Sequence, residues 1–264
     1  MLFAIDVGNS HTVAGVFHNR DLVAHWRLKS DRDRTADELA IRYHGLFQMA
    51  GISSDQINGF ILSSVVPSLE TVWIGYAEKY YAEQLRCRPI AVSHRTETGI
   101  TVRTKHPSEV GADRIVNSVA AWEMFKDDLI VVDFGTAITF DCVNHLGEYL
   151  GGTIHPGIGI SLDALAGRTA KLPRVSIDHP PERIIGTTTV SAIHSGMLYG
   201  FAGLVDRMVE LLSHELAPGK KRVNIVATGG MAALIEPYAR TVDVINPRLT
   251  LEGLQLIYAR NCSG

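Results

Sequence analysis

The segments Asp6-Val7-Gly8-Asn9-Ser10 and Asp133-Phe134-Gly135-Thr136-Ala137 repeat one pattern in the two halves of the chain. In each segment an apolar run ends in an aspartate, a glycine follows two residues later, and small side chains come next. The preceding runs, residues 2–5 and 129–132, are of the kind that forms buried strands. Two copies of this arrangement predict a duplicated fold that binds ATP, with the phosphates between two related domains.

The chemistry of these segments indicates a nucleotide that is bound together with a cation. Glycine permits a tight turn and lets backbone N–H groups approach an anion closely. Asn9, Ser10 and Thr136 can donate hydrogen bonds to phosphate oxygens, whereas a carboxylate repels a polyphosphate unless a cation lies between them. For one copy alone, Asp-x-Gly is equally typical of a simple hairpin turn. Two copies after matching strands favour nucleotide binding.

Composition limits the class of protein. The chain has 264 residues, of which 46% are hydrophobic and 20% charged, as in an ordinary globular protein with room for two modest domains. The net charge of −3 gives no electrostatic reason to expect a nucleic acid or an anionic membrane as partner. No apolar run is long enough to span a bilayer, and no signal sequence precedes the first strand. We therefore expect a cytoplasmic protein.

The cysteines point to the same compartment. Cys87, Cys142 and Cys262 are odd in number and scattered, without C-x-x-C spacing. This usage fits a reducing cytosol and argues against a structural zinc site. We expect a thiol at each of the three positions.

The hydrophobic periodicity predicts a similar order of elements in both halves. In the first half the expected elements are strands at 2–7, 12–17 and 22–28, a helix with a capping box of Thr35 and Glu38, a strand at 59–66, and a helix packed through Trp73 and Tyr76. In the second half they are strands at 136–143 and 148–154 after the run at 129–132, helices at 158–166 and 190–216, a strand at 224–228, a helix at 231–239, a strand at 242–245, and a helix at 251–260. The apolar face of residues 190–208 either joins subunits or lines a core.

The two halves meet in a helix predicted at residues 112–126, with no flexible linker. We expect an N-terminal domain at 1–115 and a C-terminal domain at 116–264. The fold class is α/β, a duplicated ribonuclease H-like fold of the actin-like ATPase type, with a nucleotide cleft between the domains.

Several motifs, in this order, together resemble the type III pantothenate kinase family of the acetate kinase, Hsp70 and actin superfamily. They are residues 6–10, 109–114 (Glu-Val-Gly-Ala-Asp-Arg), 133–137, 151–157, 170–173, 186–189 and 228–230. The resemblance runs from Leu2 to about Asn261. It implies phosphorylation of pantothenate by ATP, the first step of coenzyme A biosynthesis. It also implies a homodimer that requires Mg²⁺ and a monovalent cation, K⁺ or NH₄⁺.

The resemblance assigns the nucleotide site residue by residue. It implies that the ATP contacts are Asp6, Val7, Gly8, Asn9, Ser10, His11, Thr12, Val13, Thr136, Gly229 and Gly230. Asp6 would act on Mg²⁺ through water, and Asp133 would bind the monovalent cation. The chain lacks the Gly-x-x-x-x-Gly-Lys-Ser/Thr motif that supplies a phosphate-binding lysine, so a K⁺ ion on Asp133 could provide that charge. Gly229 and Gly230 would let the nucleotide lie at a helix N-terminus; the alternative is a tight strand-to-helix turn.

The resemblance also assigns the substrate site. It implies that pantothenate contacts Gly111, Ala112, Asp113, Arg114 and Thr189, with Asp113 as the catalytic proton acceptor. Arg114 could hold the substrate carboxylate by a bidentate contact. Alternatively, Asp113 caps a helix that starts at Arg114, and Arg114 forms a surface ion pair.

Some assignments and functions stay open from sequence alone. Thr188 is an alternative to Thr189, and Thr104 stands where many relatives have tyrosine. Two other functions compete with pantothenate phosphorylation. One is a phosphotransferase or phosphohydrolase of the same superfamily that acts on a sugar, acetate or polyphosphate. The other is a nucleotide-binding regulator without catalysis.

Overall fold

The computed structural model describes residues 1–177, 179–181, 183–219 and 222–262. The chain divides into two compact units. The first unit comprises Met1–Ala120 and Arg248–Gly264, and the second comprises Ala121–Pro247.

The secondary structure alternates between strands and helices along the described ranges. The strands are β1 (Leu2–Val7), β2 (His11–His18), β3 (Asp21–Lys29), β4 (Gly59–Ser64), β5 (Ile90–Ala91), β6 (Thr101–Val102), β7 (Leu129–Phe134), β8 (Ala137–Val143), β9 (Glu148–Pro156), β10 (Asn224–Thr228) and β11 (Val244–Ile245). The α-helices are α1 (Ala36–Met49), α2 (Pro67–Tyr81), α3 (Ala112–Phe125), α4 (Ile158–Gly167), α5 (Thr189–Leu216), α6 (Ala232–Ile235) and α7 (Leu249–Asn261). Short 3₁₀ turns lie at Ser54–Gln56, Pro107–Glu109 and Glu236–Tyr238.

The two units repeat one sheet topology. In the first unit the strand order is β3-β2-β1-β4-β5, and in the second unit the strands follow the order β9-β8-β7-β10-β11. In both, the first three strands form an antiparallel meander and the fourth strand pairs with the first in parallel. The fifth strand is parallel to the fourth. The predicted duplicated ribonuclease H-like fold is therefore confirmed.

The central strands β1 and β7 show why the aspartates recur. Both have four consecutive buried residues, then a partly exposed aspartate, then a buried residue. Continuous apolar runs suit strands that are covered on both faces. Asp6 and Asp133 thus occupy equivalent places, one residue before the end of the first strand in each unit.

Helix α1 begins as the sequence predicts. The hydroxyl of Thr35 accepts a hydrogen bond from the N–H of Glu38 at 3.3 Å, and the Glu38 carboxylate accepts one from the N–H of Thr35 at 2.8 Å. This capping box satisfies backbone donors that the first turn leaves without intrahelical partners. The aromatic packing of α2 is also confirmed, because Trp73 and Tyr76 are almost fully buried.

Helix α7 packs in the first unit, although the sequence division places residues 116–264 in a second domain. Its residues Leu251, Leu254 and Ile257 are buried in a cluster that also contains Ala4 and Ile61 of β1 and β4. The chain therefore returns to the first sheet after it has formed the second. The periodicity of a helix gives its apolar face but not the sheet that the face covers.

The apolar face of α5 lies in the core of the second unit. Leu198, Phe201 and Val205 belong to the cluster around β7, β8 and β10, and Met197 and Leu204 pack beside them. For these residues the structure supports the core, rather than the subunit contact that the sequence left open.

One local prediction is wrong, and one strand is shorter than predicted. A continuous helix at 231–239 is replaced by α6 and the 3₁₀ turn Glu236–Tyr238. Pro237 lies in that turn, and proline cannot donate the hydrogen bond that continues an α-helix. The strand predicted at 242–245 is shorter and consists of Val244–Ile245.

The prediction of three thiols is also wrong. Cys87 and Cys262 form a disulfide with their Cα atoms 6.1 Å apart, and Cys142 is a buried thiol. The paired residues are separated by 175 positions and meet because both belong to the first unit. Their spacing in the sequence gives no sign of this proximity.

Candidate active site

A tight turn between β1 and β2 carries the first predicted phosphate loop. The strand register pairs Asp6 with Val13 and Val7 with Thr12, which leaves residues 8–10 as the connection. Residues 6–13 are therefore two strand ends and the turn between them. We refer to residues 8–10 as the phosphate turn.

Glycine fits the first position of the phosphate turn better than a residue with a side chain. The N–H of Gly8 donates a hydrogen bond to the carbonyl oxygen of His11 at 3.0 Å. A Cβ atom on Gly8 would lie 3.0 Å from the same oxygen, closer than ordinary van der Waals contact. The absence of a side chain thus keeps the backbone of the turn compact and open to a ligand.

The loop after β3 supports the phosphate turn, through a residue that the sequence did not single out. The N–H of Ser30 donates to the carbonyl oxygen of Ser10 at 3.0 Å, and its hydroxyl donates to the carbonyl oxygen of Gly8 at 2.7 Å. The same hydroxyl lies 2.9 Å from the hydroxyl oxygen of Thr12. In the sequence, the alternation of basic residues with Asp31 and Asp33 over residues 29–34 is typical of a solvated loop. The register of the β2–β3 hairpin pairs His11 with Lys29 and so places Ser30 opposite Ser10. A sequence prediction of that register would have identified the contact.

Two guanidinium groups lie beside the phosphate turn and its flank. Arg32 donates to the side-chain oxygen of Asn9 at 3.1 Å, and a nitrogen of Arg27 lies 3.2 Å from Nδ1 of His11. Partial burial and the charge of Arg27 lower the pKa of His11, which favours the neutral imidazole. Arginine provides positive charge suited to phosphate recognition.

The second predicted acid, Asp113, lies in the first turn of α3. A Cβ atom on Gly111 would lie 2.6 Å from Oδ1 of Asp113, so the glycine makes space for this carboxylate. The N–H of Arg114 donates to the same oxygen at 2.8 Å. The helix begins at Ala112, so Asp113 is its second residue. The alternative that Asp113 is the N-cap of a helix starting at Arg114 is therefore wrong.

Burial sets the proton affinity of Asp113. Removal from water raises the pKa of this carboxyl, while the N–H and the positive charge of Arg114 act in the opposite direction. A carboxylate with a raised pKa accepts a proton more readily than an ordinary aspartate. This property suits a general base.

Asp6 and Asp113 lie near the same end of the first sheet, where the parallel strands β1 and β4 finish. Strands β1 and β4 are parallel, and the N–H of Val65 donates to the carbonyl oxygen of Val7 at 3.1 Å. The Cβ position of Gly111 is 3.5 Å from a methyl carbon of Val65. The start of α3, with Asp113, is therefore adjacent to the strand ends where Asp6 and the phosphate turn lie.

In the second unit, glycine residues surround the third acid, Asp133. The sheet register pairs Asp133 with Thr228, and Gly229 follows with a φ of 91°. A Cβ atom on Gly229 would lie 2.5 Å from Oδ1 of Asp133, and one on Gly135 would lie 3.6 Å from it. The carboxylate thus faces backbone that lacks side chains. Gly230 continues this turn before the four-residue α6.

The turn after Asp133 is fixed by its own backbone. The carbonyl oxygen of Thr136 accepts a hydrogen bond from the N–H of Gly157 at 3.1 Å, and the N–H of Gly135 donates to the carbonyl oxygen of Ala137 at 3.1 Å. Thr136 is therefore held in the connection between β7 and β8.

Three remaining positions concern the substrate assignments. Thr188 is the N-cap of α5, and its hydroxyl accepts a hydrogen bond from the N–H of Ser191 at 3.1 Å. Thr189 is the first residue of the helix and is exposed. In the first unit, the hydroxyl oxygen of Thr104 is buried and has no hydrogen-bond partner within the described ranges.

The described side chains fit a cation that is shared with a nucleotide. Among them, no group of three or more His, Cys, Asp or Glu residues could enclose a metal ion. Mg²⁺ in kinases is commonly held by one or two carboxylates together with substrate phosphates. In the first unit, Asp6 next to the phosphate turn provides one such carboxylate. Within the described residues, no α-helix combines the length and apolar character of a membrane span.

The repeated sheet and its aspartate-containing turns define an actin-like ATPase or kinase fold. A solved structure with this fold is the activator of the 2-hydroxyisocaproyl-CoA dehydratase from Clostridium difficile with bound ADPNP. It is 14% identical in sequence, has a TM-score of 0.56, and the match covers 99% of this chain and 94% of that one. At this identity, the similarity concerns the fold alone.

The chain belongs to the type III pantothenate kinase family, whose profile matches residues 2–211. The type III pantothenate kinase of Desulfotalea psychrophila is 52% identical over 259 residues, which are 97% of each chain. The enzyme of the same name from Moorella thermoacetica is 46% identical over 99% of this chain and 100% of its own. The resemblance carried by the sequence motifs is thus confirmed.

Proposed function

We propose that this protein transfers the γ-phosphate of ATP to the 4′-hydroxyl of pantothenate, as an ATP:pantothenate 4′-phosphotransferase. The product is 4′-phosphopantothenate, and the reaction is the first step of coenzyme A biosynthesis. The observation that carries the proposal is the half-buried carboxylate of Asp113, which is adjacent to the strand ends of the phosphate turn and whose pKa is raised by desolvation. Family membership supports the substrates.

Asp113 accepts the proton of the pantothenate hydroxyl as the new P–O bond forms. Phosphoryl transfer needs an aligned hydroxyl, compensation of charge on the γ-phosphate, and a proton acceptor. Gly111 supports this role because its missing side chain leaves the Asp113 carboxylate in place. Arg114 binds the substrate carboxylate, with Ala112 and Thr189 as further contacts. The capping role of Thr188 favours Thr189 over its neighbour for substrate binding.

The first unit binds the phosphates of ATP through residues 6–13. The backbone of the phosphate turn and the side chains of Asn9 and Ser10 supply hydrogen-bond donors, and Asp6 holds Mg²⁺ through water. The cation, when bound, offsets negative charge on the phosphates. The guanidinium of Arg32, hydrogen-bonded to Asn9, adds fixed positive charge.

The second unit binds the monovalent cation and contacts ATP. Asp133 is the ligand of K⁺ or NH₄⁺, and the side-chain-free surface of Gly229 beside it supports close approach of a ligand. Thr136 and Gly230 contact the nucleotide. We also propose a homodimer, which light scattering after gel filtration would test. The proposed cytoplasmic location no longer draws support from the cysteines, because Cys87 and Cys262 form a disulfide.

A direct assay of phosphate transfer tests the function. Purified protein is incubated with ATP and Mg²⁺ in the presence of K⁺, NH₄⁺ or Na⁺, and ADP release and phosphopantothenate are both quantified. We expect turnover with pantothenate that depends on K⁺ or NH₄⁺. Equal activity with Na⁺ would remove the proposed role of Asp133.

Parallel reactions with other acceptors separate the alternatives. Glucose, acetate and polyphosphate replace pantothenate under the same conditions. Transfer to one of these acceptors alone would indicate another phosphotransferase. Nucleotide binding without transfer to any acceptor would indicate a regulator.

A further inference from the structure

Ser30 lies outside the β1–β2 hairpin and contacts both ends of the phosphate turn. Its N–H donates to the Ser10 carbonyl at 3.0 Å, and its hydroxyl donates to the Gly8 carbonyl at 2.7 Å. A backbone held at its first and third residues has little freedom to change its turn conformation. Ser30 itself is half-buried and follows directly after β3.

The hydroxyl of Ser30 also fixes a neighbouring side chain. It lies 2.9 Å from the hydroxyl oxygen of Thr12, which is buried with 5% exposure. Since the Ser30 proton points to the Gly8 carbonyl, Thr12 donates its proton to the Ser30 oxygen. The result is a chain of hydrogen bonds from Thr12 through Ser30 to Gly8, and such chains strengthen their members.

We propose that Ser30 is a positioning residue for ATP binding, which holds the phosphate turn in the conformation that receives phosphate. This inference rests on the proposed role of residues 8–10 in binding ATP. Carbonyl oxygens that point at a phosphate would repel it, and Ser30 holds the carbonyls of Gly8 and Ser10 in hydrogen bonds. The turn is thereby preorganised before the nucleotide arrives, which lowers the entropic cost of binding.

The test variant is Ser30→Ala, which removes the hydroxyl and keeps the backbone contact with Ser10. We expect the KM for ATP to rise about tenfold, the size that the loss of a pair of ordinary hydrogen bonds gives. The KM for pantothenate should change less than twofold. Ser30→Thr, which retains a hydroxyl, should restore most of the affinity for ATP.

Ser54→Ala is the matched control. Ser54 is also a half-buried serine of the first unit, at the start of the 3₁₀ turn Ser54–Gln56, and its hydroxyl makes a side-chain hydrogen bond with His44 at 3.3 Å. It precedes β4, whereas the phosphate turn follows β1. Because β1 and β4 are parallel, Ser54 lies toward the opposite end of the sheet. Its removal should leave both KM values unchanged.

A purely structural role predicts a different result. If Ser30→Ala lowers the melting temperature but leaves the KM for ATP unchanged, the proposal is wrong. The same conclusion follows if both KM values rise equally. If the alanine variant does not fold, Ser30→Cys replaces it, since a thiol has similar size but is a weak hydrogen-bond donor. Failure of that variant to fold would also overturn the positioning role.

Binding measurements separate this proposal from the proposed function. Calorimetric titration with Mg²⁺-ATP in the absence of pantothenate gives the Kd of the wild-type protein and of Ser30→Ala. If the wild type binds ATP without phosphorylating pantothenate, and the variant binds about tenfold more weakly, the function is wrong and the role of Ser30 stands. Equal Kd values would overturn the role of Ser30 whether or not pantothenate is the substrate.

Discussion

A side chain at Gly111 cannot coexist with the observed position of the Asp113 carboxylate. The Cβ atom of such a side chain would lie 2.6 Å from Oδ1 of Asp113, which is less than any ordinary contact. The same oxygen accepts the N–H of Arg114 at 2.8 Å. Gly111 therefore fixes where the proposed base lies, although it contributes no functional group.

Gly111→Ala should displace this carboxylate and lower kcat by about 100-fold, because misplacement of a catalytic group by about 1 Å costs that much. The KM for ATP should stay close to that of the wild type. Gly75→Ala is the control, since a Cβ atom on Gly75, in α2 of the same unit, meets no atom within 4 Å. Similar kcat values for the two variants would contradict the positioning of Asp113 by Gly111.

The pH dependence of turnover should follow Asp113. Its carboxylate must be ionised to accept a proton, and burial raises its pKa above the ordinary value of 3.8. kcat/KM should therefore decrease as the pH falls through this raised pKa. Asp113→Asn should lose about 10²- to 10⁴-fold in kcat and lose this acidic limb of the profile. A variant with near-normal turnover would exclude Asp113 as the base.

The same carboxyl should cost stability at neutral pH. A group whose pKa is raised by folding stabilises the folded state below its unfolded pKa, and that stability is lost as the pH rises through the folded pKa. Asp113→Asn, which carries no charge, avoids this loss. Its melting temperature should exceed that of the wild type at pH 7, and the difference should shrink in acid. Thermal unfolding between pH 4 and 8 measures both; a constant difference would contradict the raised pKa.

Gly229→Ala should destabilise the second unit and weaken its proposed K⁺ site. The residue has a φ of 91°, and its Cβ atom would lie 2.5 Å from Oδ1 of Asp133. Gly219 is a matched control, because its φ is 82° and its Cβ position is open. Gly219→Ala should cost only the backbone strain of about 1–2 kcal/mol. Gly229→Ala should unfold at a lower temperature and, where folded, lose activation by K⁺. Equal effects of the two variants on K⁺ activation would rule out a specific contact with Asp133.

Reduction should destabilise the first unit. The Cys87–Cys262 disulfide restricts the unfolded chain, and bonds of this type typically contribute about 2–4 kcal/mol. Dithiothreitol should lower the melting temperature of the wild type and have no effect on Cys87→Ser. A thiol titration of the denatured, unreduced protein should find one reactive group, from Cys142. Three reactive thiols would show that the disulfide does not form.

Local signals made much of the fold predictable from sequence. The apolar run of β1 and the Thr35 and Glu38 capping box are set by residues within a few positions of one another, and both are observed. The repeated aspartate and glycine likewise marked the turns after β1 and β7.

Contacts between distant segments were not predictable in this way. The disulfide, the packing of α7 on β1 and β4, and the hydrogen bonds of Ser30 all join residues that only the tertiary fold brings together. The desolvation that raises the pKa of Asp113 is likewise a property of the folded chain that no sequence pattern shows. Sequence patterns identified the acids but not the surroundings that tune them.

The return of α7 to the first sheet has a consequence for biosynthesis on the ribosome. The second unit is one continuous stretch, residues 121–247. The first unit is complete only after Leu251, Leu254 and Ile257 have also been synthesised. Domains generally fold as units during translation. The second unit would therefore have all of its residues for folding before the first unit does. Nascent chains stalled before residue 248 would then present an incomplete N-terminal half to chaperones.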